Sequence, residues 1–233
     1  MTDYLVYDVF TDSAFGGNPL AVIPDATGLG EDRMREIARE FNFSETTFVY
    51  PSKLEVCDAR VRIFTPKAEL AFAGHPTIGT AIALNDTGLA GDTMTLELGV
   101  GPIPVSIAQG RARFVTKVPL KVTSAPSVDD LAACVGLDAK DIKTAQHGPV
   151  TASVGAEFVL CELTSRAALS RAAPRTDVIR RIAGPDADRL ALLYYVRNVA
   201  DISMRMFQPL GGIPEDPATG GAAAALAAFL GKL

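Results

Sequence analysis

Two titratable side chains, His75 and Asp216, stand at equivalent places in a pattern that this sequence contains twice. The first copy runs from Arg-Ile-Phe-Thr-Pro at 62–66 to Gly-His-Pro-Thr-Ile-Gly-Thr-Ala at 74–81, and the second from Arg-Met-Phe-Gln-Pro at 205–209 to Glu-Asp-Pro-Ala-Thr-Gly-Gly-Ala at 215–222. Imidazole and carboxyl groups are common general acids and bases. The pattern therefore predicts asymmetric proton chemistry on a pseudo-symmetric scaffold.

The spacing within the two copies indicates two homologous halves. The Arg-x-Phe-x-Pro copies lie 143 residues apart (205 minus 62), and the Pro-x-x-Gly-x-Ala copies lie 141 apart (217 minus 76). A chain of 233 residues is long enough for two domains. We therefore expect one half over residues 1–120 and the other over 121–233, facing each other across one site.

Each repeat copy leads into a segment that reads as a buried helix, starting directly after His75 or Asp216. The first turn of a helix presents unpaired N–H groups and a partial positive charge, which favour an anion. Gly74 and Gly221 would let a ligand approach this backbone, whereas Gly79 and Gly220 could equally serve close helix packing. Two such helix starts predict a site for a small carboxylate.

Other candidate residues have ordinary structural alternatives. A lone histidine such as His75 is often structural, and Asp216 followed by proline could simply cap a helix. Glu45 lies in Ser-Glu-Thr at a predicted helix-to-strand junction, where a glutamate is usually solvated. Asn18 could be a turn residue, and His147 before Gly-Pro reads as a loop residue.

The composition excludes several classes of protein. The formal net charge is −5, so no basic stripe is available to neutralise nucleic-acid phosphates. Although 48% of the residues are apolar, no window approaches the run of about 18 that a membrane span needs. The three cysteines lack C-x-x-C spacing, which argues against a zinc site or a disulfide framework. We expect a cytoplasmic protein with a small soluble substrate.

Hydrophobic periodicity predicts the elements that position these residues. Met34, Ile37, Ala38 and Phe41 recur at helical spacing and indicate an amphipathic helix over 31–42. Segments that are small or apolar all round predict buried helices at 76–84 and 217–230. Further helices are expected near 128–135 and 175–183, and a Ser/Thr/Pro-rich linker over 121–130. Strands are expected at 4–10, 20–23, 46–50, 57–64, 93–98, 103–108, 111–118, 150–163, 190–197 and 202–207.

The two predicted halves differ after their buried helices. Strand patterns over roughly 85–118 follow the first helix, whereas the second helix is followed by only a few residues. An uncovered apolar helix is prone to association. We therefore expect that the chain is a fragment or that another polypeptide completes the second sheet.

Four segments in order resemble the motifs of the PhzF family of phenazine-biosynthesis-like proteins: Phe-Gly-Gly-Asn-Pro-Leu-Ala-Val at 15–22, Ala-Arg-Glu-Phe-Asn-Phe-Ser-Glu-Thr at 38–46, Phe-Ala-Gly-His-Pro-Thr-Ile-Gly-Thr-Ala at 72–81 and Glu-Asp-Pro-Ala-Thr-Gly at 215–220. The resemblance covers essentially the whole chain. It implies the diaminopimelate-epimerase-like α+β fold, in which each of two halves wraps an antiparallel sheet round a central helix. The active site then lies between the halves, and a homodimer is usual.

The resemblance also implies residue roles and a reaction. Glu45 would be the general acid/base, with His75 and Asp216 assisting proton transfer and binding substrate. The residues implied to bind substrate are Asn18, Ser44, Gly74, Gly220, Gly221 and Ala222. The implied chemistry is a cofactor-free isomerisation that moves a proton within a conjugated ring, as in trans-2,3-dihydro-3-hydroxyanthranilate isomerase.

Two features leave the activity open at this point. The family commonly has serine where this chain has Gly221, so a hydroxyl contact to substrate would be lost. Epimerases of this fold place a cysteine at each helix start, and His75 and Asp216 disfavour a two-thiol racemisation. An epimerase of another amino or hydroxy acid and a non-catalytic binding or assembly module are the alternatives.

Overall fold

The computed structural model describes residues 2–115, 118–199 and 201–233. It divides into two compact units, Met1–Lys117 and Val118–Leu233, and each is described by itself. Among the described residues, no helix combines the length and apolar character needed to cross a membrane.

The first unit contains one large curled sheet. Its strands are β1 (Leu5–Val9), β2 (Asn18–Ile23), β3 (Glu45–Tyr50), β4 (Ala59–Phe64), β5 (Glu69–Leu70), β6 (Thr93–Leu98), β7 (Gly101–Ala108) and β8 (Arg111–Phe114). Its helices are α1 (Glu31–Phe41) and α2 (Gly74–Asp86). The strand order is β1-β2-β3-β4-β6-β7-β8, with β5 paired to β4, and only the β2–β3 and β4–β6 pairs are parallel in this part of the structure.

Helix α2 lies inside this sheet. It contacts β1 and β8, the two ends of the strand order, so the sheet curls around it as predicted. Small residues make this possible: a Cβ atom at Gly79 would come within 2.5 Å of the Leu20 side chain and 2.7 Å of Val9. The packing alternative for Gly79 is therefore the one that the structure supports. Ala81 and Leu84 of α2 belong to the same buried cluster as Leu20.

Helix α1 covers the other face of the sheet. Its buried residues, Met34 and Ala38, lie one turn apart, as the predicted amphipathic pattern requires. They pack with Phe48 of β3 and Phe64 of β4. The helix ends where Asn42 adopts a left-handed conformation with φ 52°, which directs the chain into Ser44 and β3.

The second unit is built on a second mixed sheet. Its strands are β9 (Lys121–Ser124), β10 (Val150–Ser153), β11 (Glu157–Glu162), β12 (Leu192–Arg197), β13 (Ile202–Gln208) and β14 (Ile213–Asp216). Its helices are α3 (Val128–Cys134), α4 (Arg166–Arg171), α5 (Thr176–Ala183) and α6 (Gly220–Leu230). The strand order is β14-β13-β12-β11-β10-β9, and β11–β12 is the parallel pair among these described strands.

The prediction of a linker over 121–130 is wrong. Residues 121–124 form β9, which pairs in antiparallel register with β10. Ser127 then caps α3 by accepting a hydrogen bond from the Asp130 amide. The serine and threonine residues of this segment therefore lie in an edge strand and at a helix cap. A segment rich in these residue types cannot be distinguished from a loop by its composition alone.

The second sheet separates two apolar layers. Side chains from α3, α4 and α5 pack on one face with Val159, Tyr194 and Phe207. Helix α6 packs on the other face with Leu160 and Tyr195. Successive residues of β11 and β12 therefore pack into opposite apolar layers, because side chains alternate between the two faces of a strand.

Helix α6 is covered on one side. Ala222, Ala225, Leu226 and Phe229 are buried, while Ala224 and Ala227 are exposed. The prediction that this helix begins at Pro217 is wrong, because its first residue is Gly220. Asp216 ends β14, where it pairs with Met206, and the chain needs residues 217–219 to turn from strand to helix.

Candidate active site

Glu45 and His75 form a buried pair in the first unit. The Nδ1 atom of His75 lies 2.8 Å from Oε2 of Glu45. Their exposed fractions are 4% for His75 and 9% for Glu45. The two residues are 30 positions apart in sequence, so their contact is made by the tertiary fold of the unit.

Local structure fixes both partners. Glu45 is the first residue of β3 and lies opposite Leu20 in the parallel β2–β3 ladder. His75 is the second residue of α2, and Thr80 lies further along the same helix. The Thr80 hydroxyl donates to the Thr47 hydroxyl across 2.8 Å, which ties the helix carrying His75 to the strand carrying Glu45. The sequence analysis did not identify this threonine pair.

The second nitrogen of His75 is chemically free. Its Nε2 atom is buried and has no hydrogen-bond partner among the described residues. Leaving a buried polar atom unpaired costs about 1 to 3 kcal/mol, so such atoms are rare and are typical of catalytic sites or of places that hold a water or an ion. With Nδ1 engaged by Glu45, Nε2 is available to exchange a proton or a hydrogen bond with a bound molecule.

Ser44, which immediately precedes Glu45 in the chain, contacts Asn18. The Ser44 hydroxyl donates to Oδ1 of Asn18 across 2.8 Å. Asn18 is fully buried at the start of β2, and Ser44 immediately precedes Glu45. The structure thus brings together the predicted site residues Asn18, Ser44, Glu45, Gly74 and His75 within the first unit.

In the second unit, Asp216 is held by a residue that the sequence analysis did not select. The Thr219 hydroxyl donates to Oδ2 of Asp216 across 2.6 Å. Asp216 has an exposed fraction of 9%, and Thr219 is the residue that precedes α6. Thr219, not Asp216, therefore occupies the cap position. The signal was present, since Thr219 falls inside the Glu-Asp-Pro-Ala-Thr-Gly motif.

The two helix starts are not equivalent at the level of individual residues. His75 lies within the first turn of α2, whereas Asp216 precedes α6 and belongs to β14. The first bond within α6 runs from the Ala223 amide to the Thr219 carbonyl. The amides of Gly220, Gly221 and Ala222 precede that bond, so they are the helix-start donors of the second unit.

Gly221 also reflects local packing. A Cβ atom there would lie 3.3 Å from the Phe158 ring, a tight contact. The glycine therefore leaves room for Phe158 as well as exposing backbone.

The repeated Arg-x-Phe segment has the same role in each unit. Arg62 makes two parallel hydrogen bonds with Glu69, at 2.7 and 2.6 Å, and its guanidinium lies 5.1 Å from the Phe64 ring centre. Arg205 makes two bonds of 2.7 Å with Glu215, and its guanidinium lies 4.8 Å from the Phe207 ring centre. Each arginine thus joins the long strand to the short strand that leads to a candidate site residue.

These features define a class of protein: two units, each with a helix against a curled sheet, and a carboxylate–imidazole pair at one helix start. Residues 7–233 match the family model described as "Phenazine biosynthesis-like protein". The match spans nearly the whole chain, so this chain belongs to the PhzF family. The resemblance found in the sequence is confirmed.

Curated relatives agree with this assignment. Trans-2,3-dihydro-3-hydroxyanthranilate isomerase of Pseudomonas aeruginosa is 36% identical over 240 residues, covering 100% of this chain and 81% of the relative. An uncharacterized isomerase of Mesorhizobium japonicum is 35% identical and covers 97% of this chain and 79% of the relative.

A solved structure confirms the fold class. The crystal structure of a PhzF-family phenazine biosynthesis protein from Bacillus anthracis superposes with a TM-score of 0.87 at 28% identity. The superposition covers 98% of this chain and 79% of that chain. The α+β fold with a central helix in each unit is therefore the fold of this family.

Proposed function

We propose that this protein is a cofactor-independent isomerase that moves a proton by a glutamate acid/base on a small carboxylate-bearing substrate. The proposed substrate is of the dihydro-hydroxyanthranilate type, after the name of the P. aeruginosa relative. The single observation that carries the proposal is the buried Glu45–His75 contact of 2.8 Å beside an unpaired His75 Nε2.

In the proposed reaction, Glu45 takes a proton from an sp3 carbon of the substrate ring. The electrons of that C–H bond move into the conjugated system, and the proton returns from Glu45 to a different carbon, so a double bond migrates without net oxidation. His75 lies within hydrogen-bond distance of Glu45, holds its carboxyl group in one orientation and exchanges a proton with it. General acid–base catalysis of this kind contributes about 100- to 10,000-fold in rate.

The remaining site residues are assigned to binding. Asp216 is proposed to assist proton transfer and contact the substrate, with its orientation fixed by Thr219. The amides of Gly220, Gly221 and Ala222 are proposed to receive the substrate carboxylate, because helix-start amides and the helix dipole favour an anion. Asn18, Ser44 and Gly74 are proposed to contact the substrate from the first unit.

The deciding experiment follows deuterium incorporation by proton NMR in D2O. The wild type, Glu45→Gln and Glu40→Gln are each incubated with trans-2,3-dihydro-3-hydroxyanthranilate. Glu40 is an exposed glutamate on α1 and serves as the matched control. We expect exchange and double-bond migration with the wild type and Glu40→Gln, and a loss of at least about 100-fold with Glu45→Gln.

The outcomes separate the alternatives. Exchange that survives Glu45→Gln would remove Glu45 from the reaction. Exchange at an α-carbon without double-bond migration, tested on amino and hydroxy acids, would indicate an epimerase. Ligand binding without any exchange would indicate a binding module.

A further inference from the structure

Phe10 has a backbone conformation that is unfavourable for its residue type. It follows β1 directly and has φ 65°, in the left-handed region. A bulky non-glycine residue in this region is strained, and such strain persists only where the surrounding structure imposes it. A glycine at this position would avoid the steric part of the cost.

The loop after β1 imposes this conformation. The Asp8 carboxylate accepts a hydrogen bond from the Phe15 amide at 2.8 Å, and the Thr11 hydroxyl accepts one from the Ser13 amide at 3.1 Å. Gly17 has φ 67°, and a Cβ atom there would lie 2.2 Å from the Val9 carbonyl oxygen. The path of the chain at Phe10 is therefore fixed by its neighbours.

Burial of the Phe10 ring does not offset the strain. The residue is 48% exposed, and it belongs to neither of the buried clusters described for the first unit. Its ring instead lies beside the candidate site: the centres of the Phe10 and His75 rings are 6.3 Å apart, with 52° between the ring planes. A half-exposed aromatic ring is thus held next to the imidazole whose Nε2 atom is unpaired.

We propose that Phe10 is a specificity-determining residue that packs against the unsaturated ring of the substrate beside His75. This inference rests on the proposed function and adds the part of the ligand that Phe10 recognises. Aromatic faces favour flat, polarisable partners over saturated rings of the same size. A ring packed on Phe10 would also displace water from the neighbourhood of the Glu45–His75 pair.

The test uses a substitution for which the structural and functional roles predict opposite effects on stability. Phe10→Gly removes the ring and relieves the left-handed strain. Gln109→Gly is the matched control, because Gln109 is an exposed non-glycine residue with φ 52° in the turn between β7 and β8. Phe10→Leu retains apolar bulk without a flat ring.

Two quantities are measured for each variant: the thermal unfolding midpoint and the dissociation constants of two probes. The probes are 3-hydroxyanthranilate, which has a flat ring, and 2-aminocyclohexanecarboxylate, which has a saturated ring. For Phe10→Gly we expect a midpoint equal to or above that of the wild type, and affinity for 3-hydroxyanthranilate about three- to tenfold weaker. Affinity for the saturated probe should fall by a smaller factor in Phe10→Gly. Phe10→Leu should also lose selectivity for the flat probe over the saturated one. Gln109→Gly should bind both probes like the wild type.

A clear fall in the Phe10→Gly midpoint would show that the ring is a packing residue and would overturn the inference. Unchanged selectivity between the probes in Phe10→Gly would overturn it as well, while leaving the proposed function intact. Failure of the wild type to bind either carboxylate would count against the proposed function itself, and the inference would fall with it.

Discussion

At the residue scale, the candidate site depends on how two buried polar groups satisfy each other. A buried carboxylate or imidazole alone carries a large desolvation cost, which a hydrogen bond between them reduces. The Glu45–His75 contact uses one carboxylate oxygen and one ring nitrogen. The arrangement therefore keeps two reactive groups buried while leaving His75 Nε2 available.

The His75→Asn substitution distinguishes the roles of the two ring nitrogens of His75. Asparagine places its amide near the position of Nδ1, so it can still donate to Glu45, but it has no counterpart of Nε2. We expect the variant to fold with little loss of stability and to lose about 100-fold in proton exchange. Exchange at the wild-type rate would show that Nε2 takes no part. His75→Ala, which leaves Glu45 without this partner, should instead lower the free energy of unfolding by about 1 to 3 kcal/mol.

Thr219 is predicted to act through Asp216. Thr219→Val removes the hydroxyl that donates to the Asp216 carboxylate but keeps the branched shape. We expect a loss of about 1 kcal/mol in unfolding free energy, together with a lower exchange rate because Asp216 loses one of the contacts that orient its carboxylate. Thr219→Ser retains the hydroxyl and should restore both quantities. A serine variant as impaired as the valine variant would assign the effect to the methyl group instead.

At the element scale, the paired arginines explain why the repeat retains Arg-x-Phe. A guanidinium can donate two parallel hydrogen bonds to the two oxygens of one carboxylate and also stack on an aromatic ring. Lysine cannot reproduce this geometry. Hydrogen bonding to Glu69 raises the pKa of Arg62, and hydrogen bonding to Glu215 raises that of Arg205. Arg205 also donates to the carbonyl oxygens of Leu169 and Ala172, so it joins α4 to the β13–β14 pair.

Arg205→Lys tests this role. We expect a loss of about 1 to 2 kcal/mol in unfolding free energy, measured by urea denaturation, because the paired hydrogen bonds and the stacking are lost while the charge is kept. Arg166→Lys is the control, since Arg166 pairs with Asp201 on an exposed surface and should change stability by less than about 0.5 kcal/mol. Equal effects of the two substitutions would contradict a special role for Arg205.

The ends of β11 and β12 carry a buried charge cluster that predicts pH-dependent stability. Glu162 is 2% exposed and accepts hydrogen bonds from Lys143 and Arg197. Burial alone would raise the pKa of Glu162, but the hydrogen bonds and charges of Arg197 and Lys143 outweigh burial, so its pKa is lowered. A lowered pKa in the folded state stabilises the protein above the unfolded-state pKa of about 4.3. That stabilisation is lost as the pH falls through the folded-state value.

We expect Glu162→Gln to cost about 2 to 3 kcal/mol in unfolding free energy at neutral pH, and less at low pH. The measurement is urea denaturation of the wild type and variant between pH 3 and pH 7. Glu157→Gln, an exposed position at the start of the same strand, should have little effect at any pH. A Glu162→Gln penalty that did not shrink towards low pH would show that the cost is steric and not electrostatic.

The sequence predicted regular elements better than the contacts between them. The period of α1 and the small residues of α2 identified both helices, because burial on one face or on all faces leaves a direct pattern. Helix α4 was missed, since six residues are too few to show a period. The Glu45–His75 contact joins residues far apart in sequence, and no local pattern distinguishes Glu45 from a solvated glutamate. The role proposed for Glu45 was indicated by the family resemblance alone.

At the scale of the whole molecule, the two units differ in how their central helices are covered. In the first unit, β6 pairs in parallel with Ala59 and Arg60 of β4, and α2 contacts β6, β7 and β8. In the second unit, β14 pairs with β13 through Met206 and Gln208. Ile202, at the start of β13, pairs with Arg197 of β12 on one side. On its other side, the side on which β14 lies, no described strand pairs with it. Ala224 and Ala227 of α6 are exposed.

We propose that the exposed face of α6 associates with a second copy of this chain, because small apolar side chains and an open strand edge favour self-pairing. Light scattering after size-exclusion chromatography should show a mass that rises from monomer to dimer with concentration. Ala224→Glu places a charge on this face without disturbing buried residues and should shift the protein to monomer. Ala167→Glu, at an exposed alanine of α4, is the matched control and should dimerise like the wild type. A wild type that stays monomeric at every concentration, or an Ala224→Glu variant with unchanged association, would rule out this face as the interface.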